Sequence, residues 1–442
     1  MLISVGLFAV VTPILAACSA AAPAPAAPAA PTATTAPAAQ AAPATAPINI
    51  SMAVFPDRPW MKRWAGKWQA ANPNVTIKFD DIPYGDMNTK QLTELATNTM
   101  QDIVFSGNKW LRYSAFKGAF ASMDDFIKAK PFDKEDMIPS AVNGGSFEGK
   151  QYGLPVEWNP GNINGIFYNK DLVAKMGQKE PTDTMSHQDY ADWSVKMTDA
   201  KAGVFGTDMF PGTYYDFGDN VRDLGGDVMS DDGKKLLLGS DPKCLEVAHW
   251  FADFRTKLKS APDRAGMGAE QLFPTGKIAS TATNVNTANA TAKSVGDKFK
   301  IGYALGVVGP GGLRGYDSFS LHWNIYSKSK IPETAYSLIL GVSSHECALD
   351  ALVAESQVPA RLSVWADPAA NKTTDIFKRT ADWIGKGTSK GPFPIPDNLR
   401  YTELETAWEN TGYQIFYGES NFDEGVKKTQ DEMQKIMDQP RG

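Results

Sequence analysis

The sequence has no charged residue at its start and few cysteines and histidines overall. No Asp, Glu, Lys or Arg precedes Asp57, and the 442 residues include three Cys and four His. So few cysteines exclude a scaffold built on disulfides. The 44 basic and 50 acidic residues give a net charge of −6, whereas proteins that bind nucleic acid normally carry a basic patch or a basic total. We therefore expect no nucleic-acid partner.

Local motifs of common cofactor and metal sites are also missing. The sequence contains no Cys-x-x-Cys and no Gly-x-x-x-x-Gly-Lys-Ser/Thr phosphate loop. The four histidines are too far apart to form a local pair, and His345-Glu346 lacks the second histidine of a zinc helix. The run Gly309-Pro310-Gly311-Gly312 lacks Rossmann spacing and favours a turn. We predict no cofactor, no metal site and no enzymatic activity.

The uncharged N-terminal segment divides into a leader and a tether. Residues 2–17 are an apolar stretch, shorter than the roughly 20 residues that a membrane-spanning helix needs. They fit a signal peptide over 1–17, and their end, Leu15-Ala16-Ala17-Cys18, resembles a bacterial lipobox in which Cys18 carries the lipid. Ordinary secretory cleavage is the alternative. Residues 19–47, with 16 Ala and 7 Pro, predict a disordered tether.

The leader departs from the usual signal-peptide pattern in one respect. Its first residues should carry Lys or Arg, and Met1 to Leu7 has neither. We therefore expect the true translation start to lie upstream of Met1.

The body of the chain, residues 48–442, alternates between strand and helix patterns. It is too long for a single hydrophobic core, so two domains are expected. Strand, helix, strand repeats predict a parallel sheet with crossover helices, and ligands of such sheets bind beyond the carboxyl ends of strands. The predicted elements are a strand over 48–55, a helix beginning at Pro59 with Trp60, Trp64 and Trp68 on one face, a strand over 75–79, a helix over 88–98 and a strand over 102–105.

Two motifs together resemble the paired signature of extracellular solute-binding proteins of ABC importers, the maltose-binding-protein-like family. They are Gly149-Lys150-Gln151-Tyr152-Gly153-Leu154-Pro155 and Ile166-Phe167-Tyr168-Asn169-Lys170-Asp171-Leu172. The resemblance covers roughly residues 48–442. It implies the α/β class, as a two-lobed periplasmic-binding-protein-like fold with a hinge and an inter-lobe ligand cleft.

The resemblance also implies boundaries and partners. Lobe one is expected at 48–155 plus 308–355 and lobe two at 156–307 plus 356–442, with the chain crossing near 154–157 and 303–308. The protein would be a monomer held to the outer face of the cell membrane by Cys18. It would close around a small solute and deliver it to the permease subunits of the importer.

Aromatic and polar residues outside regular helical stripes are the candidate ligand contacts. A sugar has hydroxyl groups and an apolar ring face, so its site needs planar polar groups and aromatic rings. Core packing is the alternative for the tryptophans, a self-packed surface loop for the run 210–219, and a capped helix start for Asn284 and Asn286. The predicted ligand-binding residues are Asp57, Asn108, Trp110, Glu157, Trp158, Tyr214, Asp216, Asn286 and Trp323.

A carbohydrate is the expected solute, and two other functions stay open. A glycerol phosphate or another anionic solute would be bound if Arg58, Arg314 and Arg361 converged on the cleft, because bidentate arginine suits phosphate. A secreted glycosidase would instead use Glu157 and Asp216 as its two carboxylates.

The two remaining cysteines lie in different predicted lobes. Cys244 begins a lobe-two helix, and Cys347 follows a capping box predicted at Ser343-x-x-Glu346 in lobe one. A disulfide between them would lock the hinge, so we expect two buried thiols.

Overall fold

The computed structural model describes residues 46–159, 165–263, 272–370, 375–385, 389–390 and 395–442. The predicted signal peptide, Cys18 and the tether as far as residue 45 lie outside the described residues.

Strands and helices alternate along the described chain. The strands are β1 Ile48–Val54, β2 Val75–Asp81, β3 Ile103–Gly107, β4 Ser146–Phe147, β5 Lys150–Gln151, β6 Gly153–Asn159, β7 Gly165–Asn169, β8 Ser280–Thr283, β9 Ile301–Leu305, β10 Arg314–Gly315, β11 Phe319–Ile325 and β12 Ser389–Lys390.

The helices follow the same chain order. They are α1 Pro59–Ala70, α2 Met87–Thr97, α3 Asn108–Phe116, α4 Asp124–Ala129, α5 Pro139–Gly144, α6 Lys170–Lys175, α7 His187–Lys196, α8 Tyr214–Asp223, α9 Pro242–Thr256, α10 Ala288–Val295, α11 Pro332–Val342, α12 His345–Glu355, α13 Leu362–Ala366, α14 Asp375–Gly385, α15 Tyr401–Ala407, α16 Tyr413–Tyr417 and α17 Phe422–Met437. Short 3₁₀ turns lie at Tyr84–Asp86, Lys134–Asp136, Phe273–Thr275, Val285–Thr287 and Pro310–Gly312, and a π-helical turn at Trp408–Gly412.

A five-stranded sheet with the order β2-β1-β3-β11-β6 forms the first layer. β1 pairs with β2 and β3 in parallel, as the repeats predict, because α1 and α2 return the chain across the sheet. β11 enters from far along the chain and pairs antiparallel with β3 and β6. All residues of β3 and β6 are buried, as expected for strands covered on both faces.

Helix α1 covers one face of this sheet with the predicted tryptophan stripe. Pro59 stands in its first turn, as predicted. Trp60 is fully buried and its ring meets Trp323 at 6.4 Å between centroids. Trp64 and Trp68, the other two residues of the stripe, are half-buried and pack against the core of the first sheet. The Trp64 indole N–H donates to Asp350 of α12 at 2.7 Å, so it lies at the edge of the helix packing.

A three-stranded antiparallel sheet with the order β8-β7-β9 forms the centre of the second layer. Its core includes Ile166 and Tyr168 of β7, and it continues through α8, α9, α15 and α17. The first sheet has its own core, which contains Trp110, Leu321 and Trp323. The described chain therefore has two main sheets, each with its own buried cluster, beside the two-stranded pairs β4-β5 and β10-β12.

Helix α8 corrects the prediction for the run 210–219, where no helical period was recognised. Thr213 and Asp216 form a capping box at its start: the Thr213 hydroxyl accepts from the Asp216 N–H at 3.0 Å, and Asp216 Oδ2 accepts from the Thr213 N–H at 2.9 Å. All ten residues of the helix are buried. The apolar residues Tyr214, Phe217 and Val221 recur along it at helical spacing, so the prediction of a loop overlooked a periodic signal that the sequence contains.

Two smaller predictions concern helix starts and cysteines. Asn284 begins the turn before α10, where its side chain accepts from the Asn286 N–H at 3.1 Å, so the capped start is confirmed. The cap of α12 is Ser344, one residue later than predicted. Cys244 and Cys347 are buried and unpaired, as predicted.

Within the described ranges no single helix is long and apolar enough to cross a membrane; α11 and α12, bent by 54°, pass this test only as a pair.

Candidate functional site

A buried ion pair links the end of the first strand to β6. Arg58, which follows β1, places Nη1 at 2.5 Å from Oε2 of Glu157. The Arg58 guanidinium also lies 4.8 Å from the Phe55 ring centroid. Burial raises the pKa of Glu157, and Arg58 opposes that rise. This pair lies where ligands of such sheets bind, at the carboxyl end of a strand.

A series of aromatic rings continues from this ion pair. The Phe55 ring meets Tyr84 at 5.5 Å, Tyr84 meets Trp110 at 6.0 Å, and Trp110 meets Phe319 at 6.0 Å between centroids. Tyr84 is 42% exposed although it touches two buried rings. It therefore presents an aromatic surface to solvent at the rim of the site.

Lys109 joins the two layers of the fold. Its Nζ lies 2.7 Å from Oδ2 of Asp317, in a pair whose side chains are 5% and 2% exposed. The same ammonium lies 3.5 Å from the ring centroid of Tyr215 on α8 and 5.6 Å from that of Tyr401 on α15. A cation over an aromatic face is attracted most strongly when it is desolvated. Lys109 on α3 therefore connects the first sheet to helices of the second.

Several carboxyl groups surround this lysine. Burial raises the pKa of Asp216 to about 6. Burial, and then the charges of Asp317 and Asp216, raise the pKa of Asp219 well above its usual value. Both carboxyl oxygens of Asp219 lack a hydrogen-bond partner among the described residues. We call the whole set the cleft cluster: Arg58, Tyr84, Lys109, Trp110, Glu157, Tyr215, Asp216, Asp219, Asp317, Phe319, Tyr401 and Glu405.

The predicted site residues fall at different distances from the cleft cluster. Trp110, Glu157 and Asp216 belong to it. Tyr214 adjoins it, with its ring 4.3 Å from that of Tyr215. Asn108 is buried beside Lys109 and donates to the Ser318 carbonyl at 3.2 Å. These contacts bring five of the nine predicted residues to one region of the molecule.

The other four predicted residues lie elsewhere or have a packing role. Asp57 is exposed next to Arg58, and Asn286 is half-buried at the start of α10. Trp158 is 2% exposed, and its indole N–H donates to Ser318 Oγ at 2.8 Å. Trp323 is fully buried between Trp60 and Phe105, so the structure assigns it to the core of the first sheet.

The three arginines considered for an anionic solute do not converge. Arg58 is held by Glu157, and Arg361 pairs with Asp136 at 2.6 Å. Arg314 donates to the carbonyl groups of residues 183, 306 and 307. Each guanidinium binds a different carboxylate or set of carbonyl groups of the protein, so these contacts do not bring the three to one anion site.

The residues of the cleft cluster that were not predicted as ligand-binding include Tyr84, Lys109, Asp317, Phe319, Tyr401 and Glu405. Tyr215 belongs to the candidate run 210–219. Lys109 and Asp317 are 208 positions apart, and nothing local in the sequence marks either as a partner of the other. A lysine in the first turn of a helix after a strand was the one available signal, because that is where ligands of such sheets bind. Among the described residues, no group of three His, Cys, Asp or Glu side chains has the geometry of a metal site.

Comparison with known proteins identifies the family. The sequence profile described as "Bacterial extracellular solute-binding protein" matches residues 53–339. The chain therefore belongs to the bacterial extracellular solute-binding proteins. A binding protein of Brucella abortus (strain 2308) is 25% identical over 295 residues, which cover 64% of this chain and 67% of that protein.

Two solved structures share the fold. The substrate-binding protein Lmo0181 of Listeria monocytogenes, in complex with cycloalternan, has a TM-score of 0.79 at 22% identity and covers 88% of this chain and 99% of its own. The GacH receptor of Streptomyces glaucescens, solved unliganded and with acarbose, has a TM-score of 0.76 at 20% identity and covers 90% and 100%.

These matches confirm the predicted fold class, an α/β two-lobed fold of the periplasmic-binding-protein type with a hinge and a ligand cleft. The family consists of extracytoplasmic substrate-binding proteins and not of enzymes. At the level of the family, this agrees with the expected extracytoplasmic location and with the expected role in binding and not in catalysis.

Proposed function

We propose that this protein is the substrate-binding subunit of an ABC importer and that it captures a carbohydrate in the cleft between its lobes. The observation that carries the proposal is the cleft cluster, in which aromatic rings alternate with hydrogen-bonding charged groups. Tyr84, Trp110 and Phe319 supply ring faces, and Lys109 and Asp317 lie beside them.

This arrangement suits the chemistry of a sugar. A pyranose ring has an apolar face that packs on an aromatic side chain with large contact area. Its hydroxyl groups both donate and accept, so they pair with carboxyl oxygens and with an ammonium or guanidinium group. The solved structures that share the fold support this class of solute, since their ligands are cycloalternan and acarbose.

Capture would occur by closure of the two lobes. The chain leaves the first sheet after Asn159 and returns to it at Phe319. Lys109 against Tyr215, and the Asn88 amide that donates to Thr402 Oγ1 at 3.2 Å, link elements of the two layers. A solute that touches both lobes shifts the equilibrium towards the closed form in proportion to its preference for that form. The permease would recognise this form.

The lobe boundaries, 48–155 plus 308–355 and 156–307 plus 356–442, are part of the proposal.

Attachment to the membrane through Cys18 is a separate part of the proposal. The lipobox-like run and the Ala/Pro tether support it. A Cys18→Ala variant expressed in a bacterium should be released from the membrane fraction, whereas the wild type stays with it and carries the mass of a lipid. Release of the wild-type protein without lipid would contradict the anchor.

A ligand screen tests the carbohydrate. Maltose, maltotriose, mannotriose and D-mannitol would be added to the purified protein and the melting temperature measured, since a ligand at 100 times its Kd stabilises by about 2.7 kcal/mol. At least one carbohydrate should raise the melting temperature without being hydrolysed. A response to amino acids or peptides, with none to any carbohydrate, would overturn the proposal.

A pair of variants locates the binding site. Tyr84→Ala removes an exposed ring of the cleft cluster and should weaken sugar binding by about tenfold, as expected for the loss of a contact worth about 1.4 kcal/mol. Phe116→Ala is the control, because Phe116 is equally exposed at 43% and lies outside the cluster. Equal effects of the two variants on Kd would show that the sugar binds elsewhere.

A further inference from the structure

A cavity adjoins the cleft cluster at Asn108 and Ser318. Its volume is about 400 Å³. Asn108 and Ser318, the chain neighbours of Lys109 and Asp317, line it next to the cluster. Ser140 and Asn143 of α5 form another wall. Asn108 and Ser318 therefore form the boundary that this cavity shares with the cleft cluster.

Arg112 of α3 is the one cationic side chain of this cavity that has neither a hydrogen bond nor an ion pair to another described residue. Its Nε is buried without a hydrogen-bond partner, although the residue as a whole is half-buried. Burial lowers the pKa of its guanidinium. An arginine stays protonated even so, because its ordinary pKa lies far above neutrality. The positive charge of Arg112 therefore lies partly desolvated and unpaired as far as the described residues show.

The other charged groups of the cavity are already paired or exposed. Arg222 pairs with Asp227 at 3.2 Å, and Arg441 pairs with Asp397 at 3.2 Å.

Two acidic residues also line the cavity. Asp231 and Asp232 are both exposed, and Asp232 accepts from the hydroxyl of Ser230 at 2.7 Å. Solvent and salt screen exposed carboxylates strongly. The carboxylates of Asp231 and Asp232 therefore do not neutralise the half-buried guanidinium of Arg112.

We propose that Arg112 selects a carbohydrate that carries an anionic group, a carboxylate or a phosphate monoester. This inference rests on the proposed function, because it places the sugar ring on the cleft cluster and the anionic group in the adjoining cavity. A guanidinium binds either group through two parallel N–H···O bonds. Asn108, Ser140 and Asn143 would serve the remaining oxygen atoms and hydroxyl groups.

The size of the expected preference follows from the charge. Charge-assisted hydrogen bonds are roughly twice as strong as neutral ones, so an acidic sugar should bind at least about tenfold more tightly than its neutral counterpart. The preference should weaken with added salt, since screening reduces the attraction.

Calorimetric titration of the full chain tests the proposal with matched pairs of sugars. Each acidic probe has a neutral counterpart: D-glucuronate and glucose 6-phosphate against D-glucose, and trigalacturonate against galactotriose. Inorganic phosphate alone is the probe for an anion without a sugar. Comparison of the uronates with the sugar phosphate distinguishes a carboxylate from a phosphate.

Two variants at one position and one control locate the effect. Arg112→Gln should reduce the preference for the acidic sugar to less than about twofold and leave affinity for the neutral sugar nearly unchanged. Arg112→Lys should retain part of the preference, because lysine keeps the positive charge but lacks the planar guanidinium that donates two parallel hydrogen bonds. The control, Arg63→Gln, removes the same charge from a surface pair with Asp350 and should leave the preference unchanged. The melting temperature of each variant checks that it is folded.

The outcomes separate this inference from the proposed function. Equal binding of acidic and neutral sugars, or a preference that survives Arg112→Gln, overturns the role of Arg112 and leaves carbohydrate capture intact. Inorganic phosphate that binds as tightly as glucose 6-phosphate also overturns it, because the site would then recognise an anion alone. Failure of every carbohydrate to bind overturns both proposals.

Discussion

Replacing Lys109 by methionine should destabilise the protein far more than loss of a surface lysine. The Nζ of Lys109 is 2.7 Å from Asp317 in a pair whose side chains are 5% and 2% exposed. The second oxygen of Asp317 has no hydrogen-bond partner among the described residues, so the lysine is its main stabilising contact. Removing one partner of a buried ion pair costs about 3–5 kcal/mol, because the other charge stays buried and uncompensated.

The contact with Tyr215 adds to this cost. The ammonium lies 3.5 Å from that ring centroid, and a desolvated cation on an aromatic face contributes up to about 2 kcal/mol. Replacing both members of the ion pair, as Lys109→Met with Asp317→Leu, should recover most of the lost stability, since an apolar pair of similar size avoids the desolvation of two charges.

Urea unfolding at pH 7, followed by tryptophan fluorescence, measures these differences. Lys62→Met is the matched control, because Lys62 also forms a 2.7 Å pair, with Asp81, but the two side chains are 42% and 47% exposed. An exposed pair contributes about 0–1 kcal/mol. A loss for Lys109→Met as small as that for Lys62→Met, or a double variant as unstable as the single one, would refute the reasoning.

Three further predictions concern buried groups. His322 Nε2–H donates to the Ala141 carbonyl at 2.9 Å, and burial lowers the pKa of His322 from 6.5 to about 4. Between these values the unfolded chain binds more protons than the folded one, so up to roughly 3 kcal/mol of stability is lost as pH falls from 6.5 to 4. His322→Gln should remove this part of the pH dependence of stability in denaturation measured at pH 7.5 and 4.5. Burial raises the pKa of Asp208 from 3.8 to about 7. The contribution of Asp208 to stability therefore has the opposite sign: it is lost as pH rises through that interval, by at most roughly 4 kcal/mol. Asp208→Asn should gain stability over the wild type at pH 8 relative to pH 5, and a difference in stability between variant and wild type that is the same at both pH values would contradict this assignment. Trp158→Ala should cost about 3–5 kcal/mol in the absence of ligand, because the ring is 2% exposed; a nearly unchanged unfolding midpoint would show that the ring does not stabilise the core.

The fold was largely predictable because its signals are local. The alternation of strand and helix patterns, Pro59 at the start of α1 and the two solute-binding-protein motifs each depend on residues close together in the sequence. The helix over 214–223 also carries a local signal, because Tyr214, Phe217 and Val221 recur at helical spacing; the prediction of a loop over 210–219 was wrong although this signal is present.

The candidate site was only partly predictable. Trp110 and Glu157 follow or lie in strands and could be selected as aromatic and polar residues near strand ends. Trp323 has the same local pattern, yet it lies in the core between Trp60 and Phe105. Whether an aromatic residue on a strand faces a cleft or a core depends on which helix covers that face of the sheet, and residues distant in sequence determine this.

The sequence by itself determined the class of the fold and the family resemblance, because each depends on composition, short motifs or local periodicity. Only the tertiary structure decided which charges meet. Lys109 reaches Asp317 across 208 positions, Arg58 is held by Glu157, and Arg112 has no ion-pair partner among the described residues. An ion pair depends on distance in space, and packing of the two layers sets that distance.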